Sequence, residues 1–449
     1  MTIIIPANTL ADATVDNASC RFNDGDSAYM HKNLGTVSSG TAGTFSCWVK
    51  RGVAGAQGAF FSSASDTNNK NQFYFTSGNV LEFYGKAGGS QNVYLQTTAV
   101  YRDPSAWYHL VLAWDTTQGT AANRVKLYVN GAQYTWDAQT TQPAEDAVLR
   151  TNVSGENFKI GATEGPTDYF DGYMAEVVFI DGTQYAASDF GQFDSDSPTI
   201  WKPKDVSGLT FGNNGFYLDF GTTASLGKDA NGGTDLTEVN LAAADQATDS
   251  PTNNFCTMNP LDNFYQEDIF SEGNCKLVTD NSAYSYSTGT MGLTAGKWYW
   301  EVKFTATSSA DESAHIGVSS EMATGTSNWL GYNAYDYAYK SNNQSQNNQS
   351  GVDWGATEYE VGDVVGVALD LDNLKIYFAK NGTWQNSGDP TSGATGTGAA
   401  FTVTAVTNTV AGAYFPAVGD SHSDVYTFEC SFGGCSAFAL SSAAADEND

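Results

Sequence analysis

The sequence predicts an all-β protein, two antiparallel β-sandwich domains joined by a long turn-rich connector. Three observations lead there. Aromatic residues make up 13% and apolar residues 41% of the chain, and flat rings suit a pleated, half-buried face. Glycine (46 residues), with abundant Thr, Ser, Asn and Asp, gives the composition of short strands linked by tight turns. Apolar alternation recurs throughout, whereas long Ala/Leu/Glu/Lys runs of helical period are missing. With 449 residues the chain makes two domains natural, each able to bury a full core.

In the first half, SCRFNDGDSAYMHKNL (19–34) reads as two short strands around an Asp-Gly turn, and TFSCWVKRG (44–52) alternates with Phe45, Cys47 and Val49 on one side. AFFSSAS (59–65) follows, then NQFYFTSGNVLEFYG (71–85), a hairpin around Ser77-Gly78-Asn79. WYHLVLAWDTT (107–117) leads to RVKLYVNGAQY (124–134), where Asn130-Gly131 suits a type I′ turn. FKIGATE (158–164) and FDGYMAEVVFIDG (170–182) close this domain, placed at 18–185 after an N-terminal arm, 1–17. Residues 186–263 are Gly/Asn/Asp-rich with one evident strand, GFYLDFG (215–221), and read as a linker or as an extended arm packing on a neighbour. The second domain spans 264–435: KWYWEVKFTAT (297–307), HIGVSS (315–320), the hairpin series 359–382, YFPAVGD (414–420) and VYTFECSFG (425–433). A C-terminal tail, 436–449, follows.

The formal net charge is −30, from 50 acidic and 20 basic residues. Such a surface repels phosphate, so nucleic acid is excluded as a partner, and no basic run marks a membrane-surface site. No 18 apolar residues run together, so no membrane span is expected. The apolar run Ile3-Ile4-Ile5 is too short, and too poor in basic flanking residues, for a signal peptide. The composition nevertheless looks extracellular, which implies release by another route, such as lysis of an infected host. Six cysteines (Cys20, Cys47, Cys256, Cys275, Cys430 and Cys435) form no C-x-x-C pair, which argues against zinc. They read as small buried hydrophobes, with Cys430 and Cys435, flanking Gly433-Gly434, as the candidate local disulfide.

The TFSCWVKRG strand, the Trp107-Tyr108-His109 strand start, the Val125-to-Gly131 hairpin and the strand Phe170-Asp171-Gly172 … Phe179 together resemble a laminin-G-like, concanavalin-like domain. Gly296-Lys297-Trp298-Tyr299-Trp300-Glu301, His315-Ile316-Gly317-Val318, Gly362-to-Val367 with Leu374-to-Gly382, and Tyr414-to-Val418 occur in the order of a SPRY domain. That resemblance implies a second two-sheet sandwich used as an interaction platform. The whole arrangement, with CRFNDGDSAY (20–29), GFYLDF and TDSPTNNF (248–255), is similar to a family of bacteriophage proteins, especially marine ones, assigned to virion structural or tail-fibre roles.

Catalytic signatures are sparse. The four histidines, His31, His109, His315 and His422, lie far apart, and no G-x-S-x-G elbow is present. A concanavalin-like glycanase needs two carboxylates on one strand face. Asp311-Glu312 falls in a loop, and Asp370 and Asp372 sit at a strand end where turn geometry accounts for them. No cofactor is required. Laminin-G-like and lectin-like sandwiches often hold structural Ca2+ at a loop rim, and Asp66, Asn68 and Asn69 in one loop, with Asp168 and Asp171 in another, offer the hard oxygen ligands. Trp329, Tyr332, Tyr335, Tyr337, Tyr339 and Trp354 surround the Asn/Gln/Ser tract 341–350 and form the candidate ligand-binding cluster, although alternation of Tyr335, Tyr337 and Tyr339 equally fits a strand with one face in the core. The expected role is therefore a non-enzymatic phage virion protein, a tail-fibre adhesin or capsid decoration. It would be made in the host cytoplasm and carried on the particle, contacting other virion subunits, a host glycan or a receptor as a homo-oligomer. A secreted bacterial carbohydrate-binding protein or glycanase is the alternative.

Overall fold

The computed structural model describes residues 7–9, 18–136, 140–262, 267–309, 312–322, 325–434 and 438. It is built almost wholly of antiparallel strands, and among the described residues no helix is long and apolar enough to cross a membrane. The chain divides into two compact units, Thr9–Asn254 and Phe255–Asp449 with Met1–Asn8.

In the first unit, strand Ala42–Arg51 lies at the middle of an eight-stranded sheet between Trp107–Asp115 and Gly172–Asp181. Beyond Trp107–Asp115 come Val125–Val129 and then Ala132–Tyr134 at the edge. Asn130 and Gly131 both have positive φ (48° and 81°), as the type I′ expectation requires. A seven-stranded sheet holds Thr237–Val239, Tyr29–Asn33, Asn157–Ile160, Gly58–Asp66, Asn69–Phe75, Val80–Ala87 and Ser90–Val100 in that order. The inner faces meet through rings: Phe45 lies 4.7 Å from Phe61, Phe61 stacks on Phe158 at 5.2 Å, and Phe158 meets Phe179 at 4.8 Å.

The span read as a connector with a single strand is more than that. Residues 186–254 fall within the first unit and add short strands to both of its sheets. Phe216–Leu218 pairs with Gly172–Asp181, Gln246–Ala247 with Ser19–Phe22, and Thr237–Val239 with Tyr29–Asn33. Ala187, Phe190, Val206 and Phe211 cover Val111, Val178 and Ile180 on the outer face of the larger sheet. Strand Gly172–Asp181 is consequently buried along its whole length, which is why VVFI (177–180) reads as a continuous apolar run. Strands of two or three residues carry no periodicity of their own; the edges they join supply their register.

Gly172 shows why that strand begins as it does. Its φ is +132°, and a Cβ there would lie 2.2 Å from the Lys50 carbonyl oxygen and 2.8 Å from the Gly52 nitrogen. Gly172→Ala is expected to lower stability by about 2 kcal/mol or more, read as a shifted denaturant midpoint; an unchanged midpoint would contradict it.

The second unit is also a two-sheet sandwich. Strand Lys297–Thr307 lies between Tyr426–Ser431 and Val364–Asp370, with Lys375–Lys380 next in the same sheet. The other sheet runs Tyr286–Thr288, Phe415–Asp420, Ala314–Ser319, Asp336–Lys340, Gln344–Asn347, Ser350–Asp353. Trp300, Val302, Val367, Phe378 and Phe428 from one sheet and Ile316, Val318 and Tyr339 from the other form its core.

Candidate functional site

The structure separates the six aromatic residues singled out by sequence. Strand Asp336–Lys340 pairs with Ala314–Ser319 on one side and Gln344–Asn347 on the other. Its alternate residues Tyr337 and Tyr339 turn inward and are buried in the core. The Tyr337 and Thr404 hydroxyls lie 3.1 Å apart, and the Tyr339 hydroxyl donates to the Thr357 carbonyl. Trp354 packs edge-on against Tyr339 at 5.6 Å and Phe378 at 6.0 Å. Tyr337 and Tyr339 are walls of the core rather than a ligand-binding surface, because period-two alternation commits one face of the strand to burial, and Trp354 packs against that core, partly buried.

Trp329 and Tyr332 stay at the surface, half-buried, with rings 4.9 Å apart at 84°. Tyr335, also half-exposed, stands at the entry to the strand. The structure adds Tyr284, whose ring meets Trp329 at 5.8 Å and 77°. Sequence reasoning passed over Tyr284; the signal available was its alternation with the buried Tyr286 in AYSYS. Local bonds hold this rim in place. Tyr284 N donates to the Thr326 carbonyl (3.1 Å), Tyr332 N to the Trp329 carbonyl (2.9 Å), and Leu330 is fully buried beneath. The Asn/Gln tract forms a hairpin with Asn348 and Gln349 at positive φ (50° and 63°). It buttresses the loop: Asn347 Nδ2 donates to the Ala334 and Asp336 carbonyls at 3.0 and 2.8 Å, and Gln349 N to the Gly331 carbonyl at 3.0 Å.

A separate cleft in this unit, about 460 Å³, is walled by Phe304, Tyr359 and Ser341 and carries Glu312, Glu358 and Glu360 at its mouth. Its negative charge disfavours anionic ligands.

The two loops expected to offer Ca2+ ligands lie apart. Asp66 ends strand Gly58–Asp66, whereas the Asp168 carbonyl accepts from Ala59 N near the strand's start, on the order of 20 Å away. Asp66 Oδ1 accepts from Asn68 N (2.7 Å), and Asn69 Nδ2 donates to both of its carboxylate oxygens; these bonds hold its carboxyl below the usual range. Asp168 Oδ2 accepts from the Thr163 and Thr167 hydroxyls at 3.3 Å each. Asp171 is buried beside the Arg51 guanidinium, which already supplies positive charge. Among the described residues, no three His, Cys, Asp or Glu side chains come together as a metal site.

The histidines and paired aspartates are occupied structurally. His109 is fully buried and burial pushes it down to about 3. Trp201 Nε1 donates to its Nδ1 (2.9 Å), so Nε2–H donates to Ser46 Oγ (2.9 Å), and the ring has no free nitrogen to accept that hydroxyl's proton. His315 Nδ1 donates to the Leu330 carbonyl (2.7 Å) and Nε2 faces Ser421 Oγ (3.0 Å). Burial pushes His315 down to about 3, leaving a weak base. Asp370 caps its turn through Asn373 N and Nδ2 (3.0 and 2.8 Å), and Asp372 pairs with Lys297 (3.1 Å). Cys430 is buried on strand Tyr426–Ser431, where burial raises its thiol; Cys435 lies outside the described residues.

Residues 23–187 match the concanavalin A-like lectin/glucanases superfamily, and residues 297–431 match the SPRY domain. No curated protein matches the chain. Among solved structures, the SPRY domain of human HERC1 is 16% identical with a TM-score of 0.31, covering 41% of this chain and 99% of that one. A heptameric SAP-like pentraxin from Limulus polyphemus is 17% identical with a TM-score of 0.30, covering 39% and 80%. A candidate carbohydrate binding protein from Bacteroides ovatus is 17% identical with a TM-score of 0.34, covering 50% and 58%. The chain thus carries a concanavalin A-like, laminin-G-like domain followed by a SPRY domain.

Proposed function

We propose that this chain is a non-enzymatic binding protein of a bacteriophage particle, a tail-fibre adhesin or capsid decoration, whose SPRY domain contacts a host-surface glycan or receptor. The observation that carries the reading is the half-exposed aromatic rim of Tyr284, Trp329 and Tyr332. Its rings are fixed by backbone bonds and by each other, so little conformational freedom is lost when a partner covers them. Each ring offers an apolar face with a polar edge, as glycan and protein contacts both need. The neutral, buried His109 and His315 and the turn-capping Asp370 support a role without catalysis or cofactor. Many copies on one particle, in contact with neighbouring subunits, would turn a weak single contact into avidity.

Trp329→Ala in the full chain is expected to weaken binding on a glycan array or to host cells about tenfold, while Tm stays within about 2 °C. Unchanged binding would remove the rim from the proposal. Purified particles without the chain would overturn the virion assignment, and release of reducing sugar from a host polysaccharide would overturn the non-enzymatic one.

A further inference from the structure

We infer that the concanavalin A-like unit staples itself by an intramolecular amide bond between the Lys50 side chain and the Asn254 carboxamide, with Asp249 carrying the proton. Such a reaction needs three groups in one place: an amine shielded from water, a carboxamide within its reach, and a carboxyl group in contact with the amine. Lys50, Asn254 and Asp249 supply them.

Lys50 lies on strand Ala42–Arg51, directly opposite Trp107 on one neighbouring strand and Tyr173 on the other, so all three side chains share one face of the sheet. Water is kept from it: the side chains of Lys50 and Asp249 are each 1% exposed. A lysine is rarely buried so completely, and its ion pair explains only one of its two contacts. Nζ donates to Asp249 Oδ2 at 2.7 Å and to Asn254 Oδ1 at 2.8 Å. The reacting carbon, Asn254 Cγ, lies one C=O bond beyond that oxygen. The amide is fixed from its other end, where Asn254 Nδ2 donates to the Ser105 carbonyl at 2.8 Å. Trp107 Nε1 holds Asp249 Oδ1 at 2.9 Å, and a bridge between Ser250 and Asn253 stiffens the segment between the two reacting groups.

The chemistry balances within the chain. A proton passes from the Lys50 ammonium to Asp249 along their hydrogen bond, leaving a neutral amine and a neutral acid. The amine lone pair attacks Asn254 Cγ and forms the new C–N bond. Asp249 then gives its proton to Asn254 Nδ2 and takes one from the attacking nitrogen. The C–Nδ2 bond breaks, the carbonyl is restored and ammonia leaves. Nothing is oxidised or reduced, and no co-reactant is consumed. Asp249 ends as a neutral acid, which suits a buried site that no longer holds a cation. Only folding brings residues 50 and 254 together, so the bond closes after folding, and the Lys50–Asp249 ion pair is the state from which it closes.

Intact mass spectrometry of the full chain, folded and incubated at neutral pH, is expected to show the loss of one ammonia molecule. After trypsin, the peptides that hold Lys50 and Asn254 should run as one joined species, uncut at Lys50. Asn254→Ala leaves the buried ion pair in place; it should show the mass of its full sequence, give separate peptides and lower Tm by about 5–10 °C. Lys50→Arg keeps the charge but offers no amine, and should likewise show its full mass. The inference is overturned if the parent chain keeps its full mass and yields the two peptides apart. It is also overturned if the ammonia loss survives in Asn254→Ala, which would place that loss at an Asn-Gly step such as Asn130-Gly131.

Discussion

Asp249→Ala is expected to destabilise the concanavalin A-like unit by about 3–5 kcal/mol, because it strands a buried cation. Lys50 and Asp249 are both almost fully buried, with Nζ 2.7 Å from Oδ2. Lys50 Nζ also reaches Asn254 Oδ1 at 2.8 Å. Trp107 Nε1 donates to Asp249 Oδ1 at 2.9 Å, and the Ser19 hydroxyl donates to the Asp249 carbonyl at 2.5 Å. Asp249 thus joins two central strands of the larger sheet through its carboxylate, and strand Ser19–Phe22 through its backbone carbonyl, to the TDSPTNNF segment. Without it the buried lysine loses its counter-ion. Lys50→Met combined with Asp249→Leu should recover much of the loss, since a buried pair exchanged for apolar groups is often near neutral. Denaturant unfolding of the three proteins decides the matter. A loss below about 1 kcal/mol for Asp249→Ala would show that the pair does not hold the segment down.

The SPRY unit is expected to lose stability as pH rises from 5 to 9, by a few kcal/mol. Asp420, at the end of strand Phe415–Asp420, is fully buried. Burial raises its carboxyl from 3.8 to about 8, and the charge of Asp268 pushes the same way. Bonds from His422 N (3.0 Å) and Ser285 Oγ (3.5 Å) only partly offset this. Asp262 and Asp336 are raised to about 6, again chiefly by burial. In the unfolded chain such groups ionise near about 3.9, so the folded state binds more protons between about pH 4 and 8. The stabilisation is therefore fully present below the unfolded value and is lost as pH climbs through about 6 and then about 8. Asp363 and Asp372 of this unit are shifted downward and work in the opposite sense, but they lie at the surface and contribute little. Asp420→Asn keeps the shape and needs no proton, so it should flatten the upper part of the pH profile. A denaturant midpoint for this unit that is equal or higher at pH 9 would contradict the assignment.

Strands with a clear period were legible in the sequence. TFSCWVKRG, WYHLVLAWD and KWYWEVKFTAT became central strands of their sheets, and Asn130-Gly131 formed the expected tight turn. Short strands such as Thr237–Val239 and Gln246–Ala247 were not legible, because two or three residues have no period and their partners lie far away along the chain. The aromatic cluster was half legible. Residue type marked Trp329 and Tyr332 as surface candidates, whereas only pairing with Ala314–Ser319 shows that Tyr337 and Tyr339 face inward.

The integration of residues 186–254 into the first unit bears on how such modules can be exchanged between genomes. A crossover just after residue 187, where the superfamily match ends, would transplant a sheet whose Val111, Val178 and Ile180 have lost their cover. It would also leave Lys50 behind without Asp249. The stretch that keeps both the sheet's cover and the Lys50–Asp249 pair is therefore the whole unit through Asn254, past the edge of the matched domain.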